Sequence, residues 1–278
     1  VIVGGGYIGL EMAENLKNSG VSVTIVEMRD HVIAPLDFDI ACDIHTYLES
    51  KGISLLLNTA VEQITESADQ LTVRTNGGEV HCDFVILAVG VAPDTAFLKG
   101  SGIPLNERGA ILTDQHMRAL PNVYAVGDAT AVSDFITEKS VLIPLAGPAN
   151  KQGRIAADNI CGIPSEYKGT QGSSVLKLFD MTIAMTGANE KVLRESQYDY
   201  DKVFLFSKSH AAYYPGAQGM SIKTLYEKTT GRILGAQIAG FGGVDKRMDI
   251  LAVAVRQKLT AEDLAELELC YAPPFGSA

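Results

Sequence analysis

The chain opens V-I-V-G-G-G-Y-I-G, and no other stretch constrains the fold as much. Gly4, Gly6 and Gly9 fall at the G-x-G-x-x-G spacing. The apolar triplet Val1, Ile2, Val3 precedes them, and residues 10–16 follow with helical apolar spacing. A second apolar run, 21–26, ends in Glu27, within the expected reach of roughly 20 residues past such a turn. Gly4 permits the tight turn, Gly6 lets backbone approach a pyrophosphate, and Gly9 lets helix and strand pack closely. The helix start adds free N–H groups and a positive dipole end. Glu27 can take both ribose hydroxyls of an adenosine, and its charge opposes a 2′-phosphate, so NADH is expected over NADPH. The expected contacts are Gly4, Gly6, Tyr7, Ile8, Gly9 and Glu27. From these residues alone, a ligand-free βαβ unit with a glycine-rich turn stays open.

A length of 278 residues suits roughly two domains, each able to bury a core. The net charge of −10 argues against nucleic acid or an anionic membrane surface as partner. No apolar run approaches the roughly 18 residues that a bilayer span needs. Cys42, Cys82, Cys161 and Cys270 form no local pair, so neither a zinc knuckle nor a redox dithiol is expected and no metal site is assigned. Scattered thiols suit a reducing cytoplasm. His31 and His45 have no evident partner and receive no role. The chain opens inside a strand, which reads as part of a longer protein.

After Glu27 a loop closes at Pro35. Asp37 reads as an N-cap for a helix over 38–51, stopped by Gly52, and 53–57 reads as a third strand. Strand, helix, strand, helix, strand is half of a doubly wound α/β sheet. Short strands at 61–67, 71–75 and 79–82, with turns at Ala68-Asp69 and Asn76-Gly77, predict an antiparallel meander. A buried strand over 83–90 then closes the first unit. Strands are expected at 109–114 and 123–128, the latter placing Asp128 at a strand's carboxyl end; an ordinary helix cap is its bland alternative. Residues 144–150 lead into a helix expected to start near Ala149. From 168 on, strands at 175–179, 182–186, 202–206, 221–226 and 233–239, a helix over 244–257 and a final helix from Ala261 to about Leu269 predict an α+β domain. Pro273-Pro274 is expected to keep the tail extended.

Four motifs in order carry a family resemblance: the glycine turn with Glu27, A-V-G-V-A-P-D at 88–94, Y-A-V-G-D-A at 124–129 and P-L-A-G-P-A-N-K-Q-G-R at 144–154. Together they resemble the flavin-dependent pyridine nucleotide-disulfide oxidoreductases. The resemblance implies a Rossmann-like NAD domain at 1–90, the returning part of an FAD domain at 91–167 and an interface or dimerisation domain at 168–278. It implies cofactor contacts at Gly90, Gly127, Asp128, Leu145, Ala146 and Ala149, with FAD met mainly by Asp128 and residues 145–150. The stretches H-A-A-Y-Y-P-G-A at 210–217 and Y-A-P-P-F-G-S-A at 271–278 resemble the branch of coenzyme A-disulfide reductases, coenzyme A-persulfide reductases and NADH oxidases. That branch implies a homodimer in which Tyr213 and Tyr271 reach the partner's site to bind or protonate a coenzyme A thiolate. Tyr214 is the alternative to Tyr213, and packing tyrosines are the reading without the resemblance. The family's other glycine turn and its redox cysteine find no match here, so the chain is expected to be a fragment, inactive alone. An NADH oxidase or peroxidase, or a non-catalytic dinucleotide-binding or dimerisation module, are the rival readings.

Overall fold

The computed structural model describes residues 1–67 and 70–276. The turn expected at Ala68-Asp69 and the tail residues Ser277 and Ala278 lie outside the described residues. The chain begins β1 (Ile2–Val3), α1 (Tyr7–Asn18), β2 (Thr24–Val26), α2 (Phe38–Ser50) and β3 (Ser54–Leu56). The meander follows as β4 (Val61–Ser67), β5 (Gln70–Thr75) and β6 (Gly78–Cys82), and β7 (Ile86–Leu87) rejoins the first sheet. That sheet is parallel, in the order β3-β2-β1-β7. An inner strand therefore delivers the glycine turn to its carboxyl end, with α1 leaving from it. Leu10 and Ala13 of α1, and Ile40, Ile44 and Leu48 of α2, form the buried helical stripes. Gly52 ends α2 with φ at 72°, as its position past the helix requires.

The middle of the chain departs from expectation. Its elements are β8 (Ile111–Leu112), β9 (Arg118–Leu120), β10 (Val123–Tyr124), β11 (Thr130–Ser133), β12 (Ser140–Val141) and α3 (Ala146–Ile160). The strands expected at 109–114 and 123–128 shrink to two residues each. A strand is held by its neighbours: β10 has only β9 beside it, Val126 is exposed, and the chain turns at once through a Thr130 N–H to Gly127 O bond of 3.0 Å. Asp128 thus follows a short half-buried strand rather than a long buried one, and no helix follows for it to cap. Helix α3 begins at Ala146, three residues before the expected start. Pro148 falls in its first turn, where a missing N–H costs no intrahelical bond.

The last part is β13 (Ser174–Leu178), β14 (Met181–Gly187), α4 (Glu190–Glu195), β15 (Tyr200–Lys208), β16 (Gly219–Glu227), β17 (Ile233–Gly240), α5 (Val244–Gln257) and α6 (Ala261–Ala265). The five strands form an antiparallel sheet ordered β13-β14-β17-β16-β15. One face packs on the first unit: Leu176, Leu178, Ile183 and Met185 share a core with Ile2, Leu10, Ile25, Ile44 and Leu48. The other face packs Ala184, Met220 and Ile238 on Val244 and Met248 of α5. Helix α6 carries a capping box of Thr260 and Asp263 but stops at Ala265, short of Leu269. Glu266 and Glu268 put negative charge at its carboxyl end, which opposes the helix dipole. Residues 271–276 are not extended either. Phe275 N–H closes a turn on Ala272 O at 2.8 Å, and Ala211 N–H donates to Pro273 O at 3.2 Å. A proline φ near −65° suits a turn as well as an extended run, and the docking on Ala211 selects the turn. Among the described residues no helix is long and apolar enough to cross a membrane.

Candidate cofactor and substrate site

The glycine turn is fixed by its own backbone. Gly4 has φ at 108°, and a Cβ there would collide with the Ala88 carbonyl of the neighbouring strand's end. A Cβ at Gly9 would collide with the Gly4 carbonyl oxygen, so close helix–strand packing depends on Gly9. Around Gly6 there is open space, as an approaching pyrophosphate needs. The amides of Tyr7, Ile8 and Gly9 fall in the first turn of α1 and have no intrahelical acceptor, since the first intrahelical bond runs from Leu10 N to Gly6 O, 3.0 Å. Glu27 is held in place: Oε2 accepts from Gly5 N at 2.6 Å and Oε1 from Arg29 N at 2.9 Å. Each oxygen keeps lone-pair capacity for a ribose hydroxyl. These residues fit a dinucleotide.

Tyr7 leads from this turn into a cleft of about 980 Å³. Gly6 and Tyr7 line one side, Ser140 to Leu145 another, and Met185 to Asn189 of the C-terminal sheet a third. The Tyr7 hydroxyl lies 3.0 Å from Ser174 Oγ and donates to Met185 Sδ at 3.6 Å. Burial pushes its phenol up, with the Ser174 bond opposing.

Past Leu145, which lines the cleft, the segments expected to face flavin come together in part. Gly127 donates to Gln152 Oε1 on α3 at 2.7 Å. A Cβ at Gly127 would stand 3.9 Å from the Ala149 side chain. Asp128 is exposed beside this contact, and Ala146 and Gly147 offer exposed first-turn amides without intrahelical acceptors. A carboxylate next to such a helix start fits hydroxyl donors and a ring edge that gains negative charge. Gly90 has φ at 103° and is exposed past β7, at the exit of the first unit.

The two tyrosine segments also meet. Tyr213 and Tyr271 hydroxyls lie 3.4 Å apart, although 58 residues separate them. Their hydrogen bond pushes the Tyr271 phenol up, so it keeps its proton at neutral pH. Tyr214 turns away and packs edge-on against His210, at 5.8 Å between ring centroids. Tyr213 is therefore the member of the pair that faces Tyr271.

Residues 1–153 match the family described as pyridine nucleotide-disulphide oxidoreductase. The chain belongs to the pyridine nucleotide-disulphide oxidoreductases. Residues 173–278 match the dimerisation domain of the same family. A Methanocaldococcus jannaschii protein named NADH oxidase is 35% identical over 98% of this chain. Staphylococcus aureus coenzyme A disulfide reductase is 33% identical over 99% of it. The chain spans 61% and 62% of those two proteins' lengths. The crystal structure of reduced Bacillus anthracis CoADR-RHD is 45% identical, with a TM-score of 0.95, and covers all of this chain and 50% of its own. The family is FAD- and NAD(H)-dependent. No thiol of the chain pairs with another, and burial, with Asp43 and Asp39 adding, pushes the Cys42 thiol up and away from a nucleophilic thiolate.

One functional-looking cluster escaped the sequence reading. Asp37 sits at the N-cap position of α2 but makes no capping bond. Its carboxylate instead joins Asp39, Glu190 and the fully buried Lys223. The three carboxylates lie close enough to hold a metal ion, but the Lys223 ammonium pairs with all three. The signal was present: Ser221, Lys223 and Leu225 share the inward face of β16, and a lysine there needs buried partners.

Proposed function

We propose that this chain is the NADH-binding, flavin-completing and dimer-forming part of a flavoprotein that reduces a coenzyme A disulfide or persulfide. FAD, when bound, supplies the two-electron relay between NADH and the sulfur acceptor. The chain's own residues do the rest. The α1 amides and Glu27 hold and orient the dinucleotide, while Tyr7 covers the entrance to the cleft. Asp128 and the α3 amides hold the flavin's hydroxyl chain and ring edge. The reduction consumes one NADH and one proton and yields two thiols from a disulfide, through a redox cysteine of the longer parent protein. Tyr271, held by Tyr213, donates a proton to the departing thiolate.

The observation that carries the choice of substrate is the Tyr213–Tyr271 pair, two phenols brought together from the two segments that resemble this branch. The dimerisation-domain match supports a homodimer, with each phenol pair serving the partner subunit's site in the cytoplasm. A second reading, an NADH oxidase or peroxidase, draws on the 35% identity to the M. jannaschii protein.

The test is stopped-flow reoxidation of the NADH-reduced full-length protein by coenzyme A disulfide, coenzyme A persulfide, oxygen and peroxide. Fastest reoxidation by either coenzyme A species is expected. Fastest reoxidation by oxygen or peroxide overturns the proposal in favour of the second reading.

A further inference from the structure

A lysine with no exposed surface sits at the junction of the first unit and the C-terminal sheet. Lys223 Nζ lies 3.0 Å from Asp37 Oδ2 and 2.7 Å from Asp39 Oδ2, and also bonds Glu190 Oε1. Lys202 donates to Glu190 Oε1 at 2.7 Å and Tyr200 to Glu190 Oε2 at 2.8 Å. Two ammonium groups thus face three carboxylates, and every member has a partner. Asp37 is gripped further: its N–H donates to Gln237 Oε1 at 2.8 Å, Gln237 Nε2 donates to its Oδ2 at 2.9 Å, and Glu190 N–H donates to its Oδ1 at 3.0 Å. Asn189 Nδ2 adds a bond to Pro35 O at 2.9 Å.

These bonds hold residues 35–39, the end of the loop between β2 and α2 with the first residues of α2, onto the C-terminal sheet and the start of α4. The other end of that loop holds the glycine turn. Ile33 N–H donates to Gly5 O at 2.8 Å, and Val32 packs so close to Gly5 that an added Cβ would come within 2.9 Å of it. Leu36 N–H returns to Ile33 O at 2.8 Å, so the loop is a short braced piece rather than a slack tether. Gly5 N–H is one of the two backbone donors that orient Glu27, the other being Arg29 N–H. A continuous chain of contacts runs from Lys223 through Asp37, Leu36, Ile33 and Gly5 to Glu27.

We propose that Lys223, with Gln237, is a positioning residue for the nucleotide site: it sets the height of the 33–39 loop, and through Gly5 the pose of the Glu27 carboxylate. The C-terminal sheet thereby tunes NADH affinity from the opposite side of the loop. The proposal rests on the reading that the glycine turn binds NADH.

The test uses the full-length holoenzyme and three variants, Lys223→Met, Gln237→Met and Glu27→Ala. Removing the lysine leaves carboxylates unpaired in a buried place, so Lys223→Met can fail to fold; Gln237→Met keeps the ion pairs and removes only the grip on Asp37. NADH affinity by fluorescence titration should weaken about five- to tenfold in Lys223→Met and about two- to fivefold in Gln237→Met, the range of coupling within one bonded network. The NADH KM should rise in step, with kcat at saturating NADH and FAD content unchanged. A general loss of structure would lower FAD content and kcat together. NADH affinity at the wild-type value in folded Lys223→Met, or in Gln237→Met if the first does not fold, overturns the positioning role. So does a loss that comes only with lost FAD. If Glu27→Ala leaves NADH binding unchanged, the nucleotide reading itself has failed; if Glu27→Ala weakens binding and the two methionine variants do not, only the positioning role has.

Discussion

The glycine turn and the phenol-bearing end of the molecule are both made of loop, but they are finished to different degrees. In the turn, Gly4 and Gly9 are hemmed in by backbone, and Glu27 has a bond to each oxygen. At the other end, Tyr213 is 77% exposed, Tyr271 50% and Phe275 70%, and the two segments meet through the phenol pair and the Ala211–Pro273 main-chain bond. A nucleotide site can be completed inside one chain because its ligand contacts are mostly backbone. On the proposed function, an acid for a departing thiolate has to be brought to a reacting sulfur, which suits a surface that another surface completes.

The largest effect that separates the two regions belongs to the unfinished one. Tyr271→Phe in the full-length protein should lower turnover with a coenzyme A disulfide by roughly 10²–10⁴-fold while leaving flavin reduction by NADH intact. A rapid-reaction trace that shows slowed flavin reduction would instead tie Tyr271 to the nucleotide half. Next comes the finished region. Gly9→Ala must push backbone apart and should cost about 3 kcal/mol or more in denaturant unfolding, with NADH binding lost. A variant of wild-type stability would mean the helix can slide away from the strand.

Between the two lies the Lys223 cluster. Burial alone would raise the Glu190 carboxyl, but bonds from Lys202, Lys223 and Tyr200 hold it at about 2. Its folded value is therefore below its unfolded one. The stabilisation is present above the ordinary carboxylate range, about 4.5, and is lost as pH falls towards 2. The contribution is on the order of 3 kcal/mol. Glu190→Gln should flatten the acid side of the stability curve, as urea midpoints between neutral pH and about pH 3 would show. The smallest effect returns to the turn. Glu27→Ala should erase about 1–3 kcal/mol of preference for NADH over NADPH, read from paired titrations.

What the sequence made legible follows the range of the interactions. The first unit was readable because its signals are local: apolar triplets, 3.6-residue stripes, Asn76-Gly77 at a two-residue hairpin and Gly52 past a helix end. The five C-terminal strands were placed to within three residues at each end, because their apolar alternation runs long. The errors sit where distant partners decide. Asp37 has the residue type and position of a cap, yet its carboxylate is claimed by Lys223, 186 positions away. Helix α4 was missed because six residues carry little periodicity, and only the Asn189 cap, accepting from Val192 N at 2.8 Å, announces it. The run at 123–128 has strand composition, but ladder partners reach only Val123 and Tyr124. Of the candidate site, the glycine turn was legible as a motif. The resemblance implied only that Tyr213 and Tyr271 each reach a partner's site; their meeting was not legible, since no local pattern joins two loops 58 residues apart.

The core shared by the first unit and the C-terminal sheet has a consequence for how such chains can be cut and rearranged. Ile2, Leu10, Ile25 and Leu48 pack with Leu176, Leu178 and Ile183, and no residue between 91 and 167 enters that core. The family boundaries, by contrast, group 1–153 and leave 173–278 apart. The matched family segments therefore divide the residues of the shared core between them. A protease acting on the native protein should nick the middle first and leave the two ends joined. A nucleotide-binding unit transplanted on its own would carry an uncovered face of isoleucines and leucines. Such a graft needs the distant C-terminal sheet with it.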